Sequence, residues 1–387
     1  MQISGGVSIS GGVSFTPPGG AGGGDVVGKI AIGAYEYDSS PTSSSGGGVY
    51  IYDQDGTNEV LITPSDAANS DNFGESVALS TTKVIVGASG DDSKGSAYIF
   101  DHDGTNQIKI VPSDRSSQTN NTEYGKAVAT NGTKIAVSLV HYQPGSGSAV
   151  YVYDMDGTNE VKISGSDSGA GFFGRSLAMT DSKIIVGCPG LNSSAGAIYV
   201  YDLDGTNELK ITASDSTSSN YFGESLAANG SKIVVGARGR NSDYGAAYVY
   251  DLDGSNESII TPAITSGSKF GWSVAISASK IVVGAPEVRN SSNVREGALY
   301  TFDFDGTNEA MMQASDRGNY AAFEVFGRAA GALGDKAFAG MMNQPKDVNY
   351  GAVYQYDMDG SNEVKFTASN PTQGAKYGYS IATVVTG

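Results

Sequence analysis

Cysteine is almost missing from this sequence: the chain of 387 residues has one, Cys188, which excludes an intramolecular disulfide. Histidine is nearly as scarce, and with His102 and His141 as the only two, a Cys/His zinc site cannot be assembled. Basic residues are in deficit, 24 against 41 acidic, for a formal net charge of -17. Phosphate backbones and anionic membranes are held by clustered Lys and Arg, so neither nucleic acid nor a membrane surface is an expected partner. No apolar run is long enough to span a membrane, and no segment keeps a helical period. Residues 2–24 have neither the basic start nor the apolar run of a secretory leader, so export by that route is not expected.

What the sequence has in excess is glycine, 54 residues, with abundant Ser, Thr and Asn, which is the composition of many short strands and turns. The segment Tyr201-Asp202-Leu203-Asp204-Gly205-Thr206-Asn207-Glu208 returns in seven near-copies, with glycines at Gly56, Gly104, Gly157, Gly205, Gly254, Gly306 and Gly360. A period of roughly 50 residues belongs to propellers and arrays. Within one copy, Phe222-Gly-Glu-Ser-Leu-Ala reads as a first strand, and Lys232-Ile-Val-Val-Gly-Ala as a second, buried on both faces. Residues 247–250 form a third strand, and the alternation of Glu208-Leu-Lys-Ile-Thr marks an exposed fourth. An Asp-Gly pair such as Asp253-Gly254 predicts a two-residue hairpin between third and fourth. The expected fold class is all-β: a seven-bladed β-propeller of four-stranded blades over residues 29–387, preceded by a Gly/Ser-rich arm at residues 1–28. Tyr377-Gly-Tyr-Ser-Ile-Ala is a first strand without a second, and Lys29-Ile-Ala-Ile-Gly-Ala a second without a first. Residues 377–382 should therefore pair with residues 29–34 and close the ring.

The Phe-Gly or Tyr-Gly pairs begin at Phe73, Tyr124, Phe173, Phe222, Phe270, Phe326 and Tyr377, and Val-Gly-Ala or related segments end near Ala88, Cys188, Ala237 and Ala285. These residues resemble the FG-GAP repeats of integrin-α-like propellers, particularly the bacterial form with Ala-Ser-Asp, Phe-Gly and Val-Gly-Ala in turn. The resemblance covers roughly residues 29–387 and implies a seven-bladed propeller used for binding. Many members hold calcium in an Asp-rich loop between first and second strands. Here the aromatic and the next Lys are ten residues apart, as from Phe73 to Lys83 and from Phe270 to Lys280, which is too short for that loop. The Asp-x-Asp-Gly-x-Asn-Glu hairpin in turn lacks the third early Asp of a calcium loop. No metal and no cofactor is expected, and Cys188 is expected as a small buried apolar residue.

Strand order puts the first-to-second turns and the Asp-Gly hairpins on one face, the lower, and the remaining connections on the other, the upper. The lower hairpins hold 20 of the 41 acidic residues and read as a solvated rim. Upper connections vary: from the Lys to the hairpin Gly the spacing runs from 21 residues (Lys83 to Gly104) to 27 (Lys29 to Gly56). Variable loops on a rigid scaffold are where binding resides. Tyr35, Tyr37, Tyr142, Tyr221, Tyr244, Tyr320 and Tyr350 fall in these connections outside the repeated positions. They are the candidate ligand-binding residues, for a cell-surface glycan or protein, unless the loops pack on themselves. The residues after each Phe-Gly or Tyr-Gly pair, Tyr379, Glu75, Lys126, Arg175, Glu224, Trp272 and Arg328, should form one ring at the central channel with mutually paired charges. A ligand pore with Trp272 as its platform is the alternative.

No Gly-x-Ser-x-Gly elbow is present, and neighbouring loop acids such as Asp91 and Asp92 are of a kind usually solvated, so an enzyme is not expected. A polysaccharide-acting enzyme is the remaining catalytic reading. The arm carries Ile3-Ser-Gly-Gly-Val7-Ser8 and then Ile9-Ser-Gly-Gly-Val13-Ser14. Through Ile3, Val7, Ile9 and Val13 it can add as a strand to a partner's sheet edge, or it is a flexible linker. It looks like the openings of marine phage structural proteins. The function expected is that of a non-enzymatic binding or structural protein, a phage tail or capsid-surface adhesin, located in the virion or outside the cell. The arm docks it on the larger assembly and the upper loops meet a host-surface ligand. A bacterial cell-surface or secreted adhesion protein is the alternative.

Overall fold

Seven four-stranded antiparallel sheets follow one another around a central axis. The computed structural model describes residues 28–37, 46–118, 122–142, 147–167, 171–263, 267–316, 326–342, 350–370, 372 and 374–386. The blade containing Gly28–Ala34 is blade 1, and the others follow in chain order. In blade 2, for example, Phe73–Leu79 is innermost, followed outward by Lys83–Ala88, Ser96–Asp101 and Ile108–Ile110. Second strands such as Lys83–Ala88, Lys232–Ala237 and Lys280–Ala285 are wholly apolar after their first residue because both faces are covered by neighbouring sheets. The Phe-Gly aromatics stand edge-on to third-strand rings, as Phe73 does to Tyr98 at 5.5 Å and to Phe100 at 5.9 Å. Cys188 is fully buried, its thiol meets the Gly171 carbonyl oxygen at 3.3 Å, and burial pushes its pKa up to about 12.

The ring closes in blade 1, where Ser380–Val385 pairs antiparallel with Gly28–Ala34, Gly28 opposite Val385 and Gly33 opposite Ser380. Regular pairing begins three residues later than position 377. The Gly378 and Tyr379 amides both donate to the Gly33 carbonyl, at 3.1 and 3.2 Å, so Gly378 is a bulge and the ladder starts after it. The bulge glycines have φ between 81° and 91°, as at Gly125 and Gly74, a region that side chains other than glycine's disfavour. Apart from Gly174, which faces Ser138, each also explains the glycine at the Val-Gly-Ala position of the blade before it. A Cβ on Gly87 would lie 1.9 Å from the Gly125 carbonyl oxygen. Ser76 donates its hydroxyl to that same oxygen at 2.9 Å. Ser176, Ser225, Ser273 and Ser380 repeat the bond to the next blade.

The hairpins correct the expected two-residue turn. Six residues separate the third strand, ending at Asp251, from the fourth, beginning at Ser258. The aspartates fold the loop upon itself: Asp253 accepts the Ser255 amide at 2.9 Å, and Asp251 accepts Asn256 Nδ2 at 2.6 Å while pairing with Lys232 at 2.5 Å. The same lysine–aspartate pair recurs in every blade, from Lys29–Asp53 to Lys336–Asp357, so seven hairpin carboxylates are neutralised locally. The hairpin glutamates face sideways. Glu208 accepts the Ser166 hydroxyl of blade 3 at 2.6 Å and the Tyr201 hydroxyl at 2.7 Å, latching two blades. Five further interfaces carry this latch, with Gln107 replacing glutamate in one. Between blades 5 and 6 no such latch occurs among the described residues: Ala263 occupies the serine's place opposite Glu309, and Phe302 that of the latching tyrosine.

Candidate functional site

The bulge that begins each inner strand also aims one side chain at the axis. In blade 4 the Gly174 and Arg175 amides both donate to the Gly187 carbonyl, at 2.9 and 3.2 Å, and the Arg175 amide also reaches the Phe172 carbonyl at 3.0 Å. This tight turn re-aims Arg175, and its counterparts do the same in the other blades. The seven expected residues form the ring. Around it, Lys126 pairs with Glu75 at 2.5 Å, Arg175 with Glu224 at 3.4 Å, and Arg328 lies 4.8 Å from the Trp272 ring centre and 5.8 Å from that of Tyr379. Six of the seven are at most 6% exposed, so they plug the upper end of the channel with one another's side chains.

Burial opposes the Glu75 charge, yet the Lys126 ammonium and hydrogen bonds from Lys126 and Ser89 hold its carboxyl below the ordinary value. Burial likewise works to lower Lys126, and Glu75 outweighs it, leaving the ammonium well above its usual range. The Arg175 guanidinium is held above its usual value against burial, first by Glu224. Trp272 offers no bare platform: Arg238 and Arg328 lie over it at 4.8 Å each and Lys269 at 5.5 Å.

Three of the seven candidate tyrosines join this ring. Tyr35 packs on Tyr379 with ring centres 4.4 Å apart, and Tyr221 lies 4.2 Å beneath the Arg238 guanidinium. Tyr142 donates its hydroxyl to Glu123 at 2.9 Å, and Glu123 in turn pairs with Lys126 at 2.8 Å. Tyr142 is 37% exposed while its hydroxyl end is drawn into the cluster, and burial raises its pKa. Tyr37 does not join. It is 4% exposed, packed edge-on against Tyr50 in blade 1. Tyr244 stands apart on the surface at 41% exposure, and Tyr350 is half-buried, its carbonyl accepting the Tyr377 amide. Tyr320 and the arm positions Ile3, Val7, Ile9 and Val13 lie outside the described residues.

A second tier was read from the sequence only at Tyr221. Five of the seven residues before an aromatic-glycine pair, Asn72, Phe172, Tyr221, Lys269 and Lys376, have φ between 53° and 63°, and Tyr221 and Lys269 meet the cluster through Arg238 and Trp272. Arg238 and Glu287 enter from the second-to-third connections; Glu287 pairs with Lys269 at 2.9 Å and with Arg295 at 3.2 Å. The signal for this tier was positional: it immediately precedes the aromatic-glycine pair, but its residue types vary from copy to copy. Among the described residues, no group of three His, Cys, Asp or Glu side chains is placed to hold a metal ion.

The FG-GAP repeat family matches three segments of the chain, residues 57–100, 206–250 and 257–302. No curated protein matches the sequence. Among solved structures, the chain is similar to TolB from Acinetobacter baumannii at 14% identity and a TM-score of 0.48, with 92% of this chain and 66% of that one covered. The chain thus spans just under two thirds of that protein's length. With seven closed four-stranded blades this chain is a β-propeller, and three segments of it match the FG-GAP repeat.

Proposed function

We propose that this propeller is a non-enzymatic binding protein of a phage particle, docked through its N-terminal arm and presenting its upper face to a host-surface ligand such as a glycan. The observation that carries the reading is the contrast between its two faces. Lower hairpins repeat one hydrogen-bond pattern seven times and spend their charges on themselves. The upper mouth gathers acidic, basic and aromatic side chains that vary around the ring, with Tyr35, Tyr142 and Tyr221 around it. The chain enters the propeller at Gly28, at the lower end of its strand, so an arm at residues 1–28 holds the molecule from behind. Arms that add a strand to a partner's sheet edge are a recurrent docking device.

Deleting residues 1–24 should leave a folded propeller that no longer co-purifies with assembled particles. Tyr142→Ala or Tyr244→Ala should spare assembly and weaken attachment to host cells. An arm-deleted protein still incorporated at the normal level overturns the docking role, and full attachment by both tyrosine variants overturns the recognition role. Fractionation with the envelope of the producing cell instead of with particles would favour a bacterial surface adhesin.

A further inference from the structure

Two cations share one carboxylate at the upper mouth, and neither holds it closely. Arg175 Nη2 is 3.4 Å from Glu224 Oε1, and Arg238 Nε is 3.9 Å from the same oxygen. Around them three N–H donors meet no acceptor among the described residues: Arg175 Nη1, Arg238 Nε and Trp272 Nε1. Arg175 and Trp272 are each only 6% exposed. Buried donors are normally satisfied, and an orphan on a charged group is the costlier kind. Arg175 also interacts electrostatically with Glu75, Tyr142 and Tyr379 across the ring, so its guanidinium stands near the axis and not between two blades.

All three orphans donate, so what completes them is an acceptor, and beside guanidinium groups an anionic one. The geometry points to a carboxylate-binding subsite at the channel mouth, centred on Arg175, Arg238 and Trp272, that takes the acid group of a uronic acid sugar. A planar carboxylate suits a guanidinium edge and keeps an oxygen free for the indole N–H. The sugar is argued from the hydroxyl-bearing rings of Tyr35, Tyr142 and Tyr221 beside the same cluster. In a chain of net charge -17, acidic ligands are repelled elsewhere, so a donor-rich mouth would also orient them. This inference rests on the reading of the upper face as the recognition surface.

Trp272 is the only tryptophan, so its emission reports on the site directly. The full chain is titrated with glucuronate in low-chloride buffer, with glucose and acetate as controls. Glucuronate should change the emission saturably, acetate should bind about tenfold more weakly, and glucose should do nothing. Trp272→Phe keeps a ring under the guanidinium groups and removes the N–H. By calorimetry it should lose about tenfold in glucuronate affinity with an unchanged melting temperature. No saturation by glucuronate overturns the subsite, equal affinity for acetate or glucose overturns the sugar, and unchanged affinity in Trp272→Phe overturns the placement. Glucuronate binding together with normal host attachment by Trp272→Phe particles would leave the subsite standing and remove its host role. Attachment lost in the tyrosine variants without any glucuronate binding would do the reverse.

Discussion

At the residue scale the channel plug is an electrostatic structure, and its members cannot be removed singly. Lys126 and Glu75 are 7% and 8% exposed in their side chains and 2.5 Å apart. Removing one leaves the other as an uncompensated buried charge, which costs about 3–5 kcal/mol. Lys126→Met should therefore lower unfolding free energy by that order in urea melts, and the double variant Lys126→Met/Glu75→Gln should recover most of the loss. The pair also sets an acid dependence. The folded Glu75 carboxyl titrates below its ordinary 4.5, so the unfolded chain binds the proton more readily. Its stabilisation is complete above 4.5 and is lost as pH falls through the lower folded value. The stability difference between wild type and Glu75→Gln, followed by urea melts from neutral to acidic pH, should shrink over that window and stay constant above it. The ring was legible in the sequence because its residues follow an invariant aromatic-glycine pair. Tyr37 was misjudged because loop position does not reveal that a tyrosine turns inward onto Tyr50.

At the scale of the strand and its turns, glycine spacing carries the design. The Val-Gly-Ala glycine of one blade lies against the bulge carbonyl of the next, and the inner-strand serine bonds that same oxygen. Gly87→Ala places a methyl 1.9 Å from the Gly125 oxygen, so two backbones must separate. A loss of about 3 kcal/mol or more in unfolding free energy is expected by denaturant titration, against an unchanged value for Gly230→Ala, whose Cβ position is open. The strand order and blade count were readable because strand period and turn residues repeat. The hairpin size was not, since an Asp-Gly pair signals a tight turn only when aspartate does not cap the loop with its own carboxylate. Here Asp55 accepts both the amide and the hydroxyl of Thr57, at 3.0 and 2.6 Å.

At the scale of the whole molecule, blade interfaces are not equal. Six carry a side-chain latch between a hairpin acid or amide and a serine, and the seventh, between blades 5 and 6, has Ala263 in the serine's place. Ala263→Ser gives the Glu309 carboxylate a hydroxyl donor there and should stabilise the protein by about 1 kcal/mol in thermal melts, an effect absent in Glu309→Ala. The closure of blade 1 has a consequence of another kind. Gly28 and Val385 are neighbours in space and near-opposite ends of the described chain, so their pairing has the greatest loop-closure entropy to overcome. Every other blade is built from one continuous stretch of sequence. Refolding should accordingly be ordered in time, with amides of blades 2 to 7 protected early in pulse-labelled hydrogen exchange and those of Ile30 and Ala382 last. Until that late step an edge of blade 1 stays open to pairing with another chain, so losses to aggregation on refolding should grow with protein concentration.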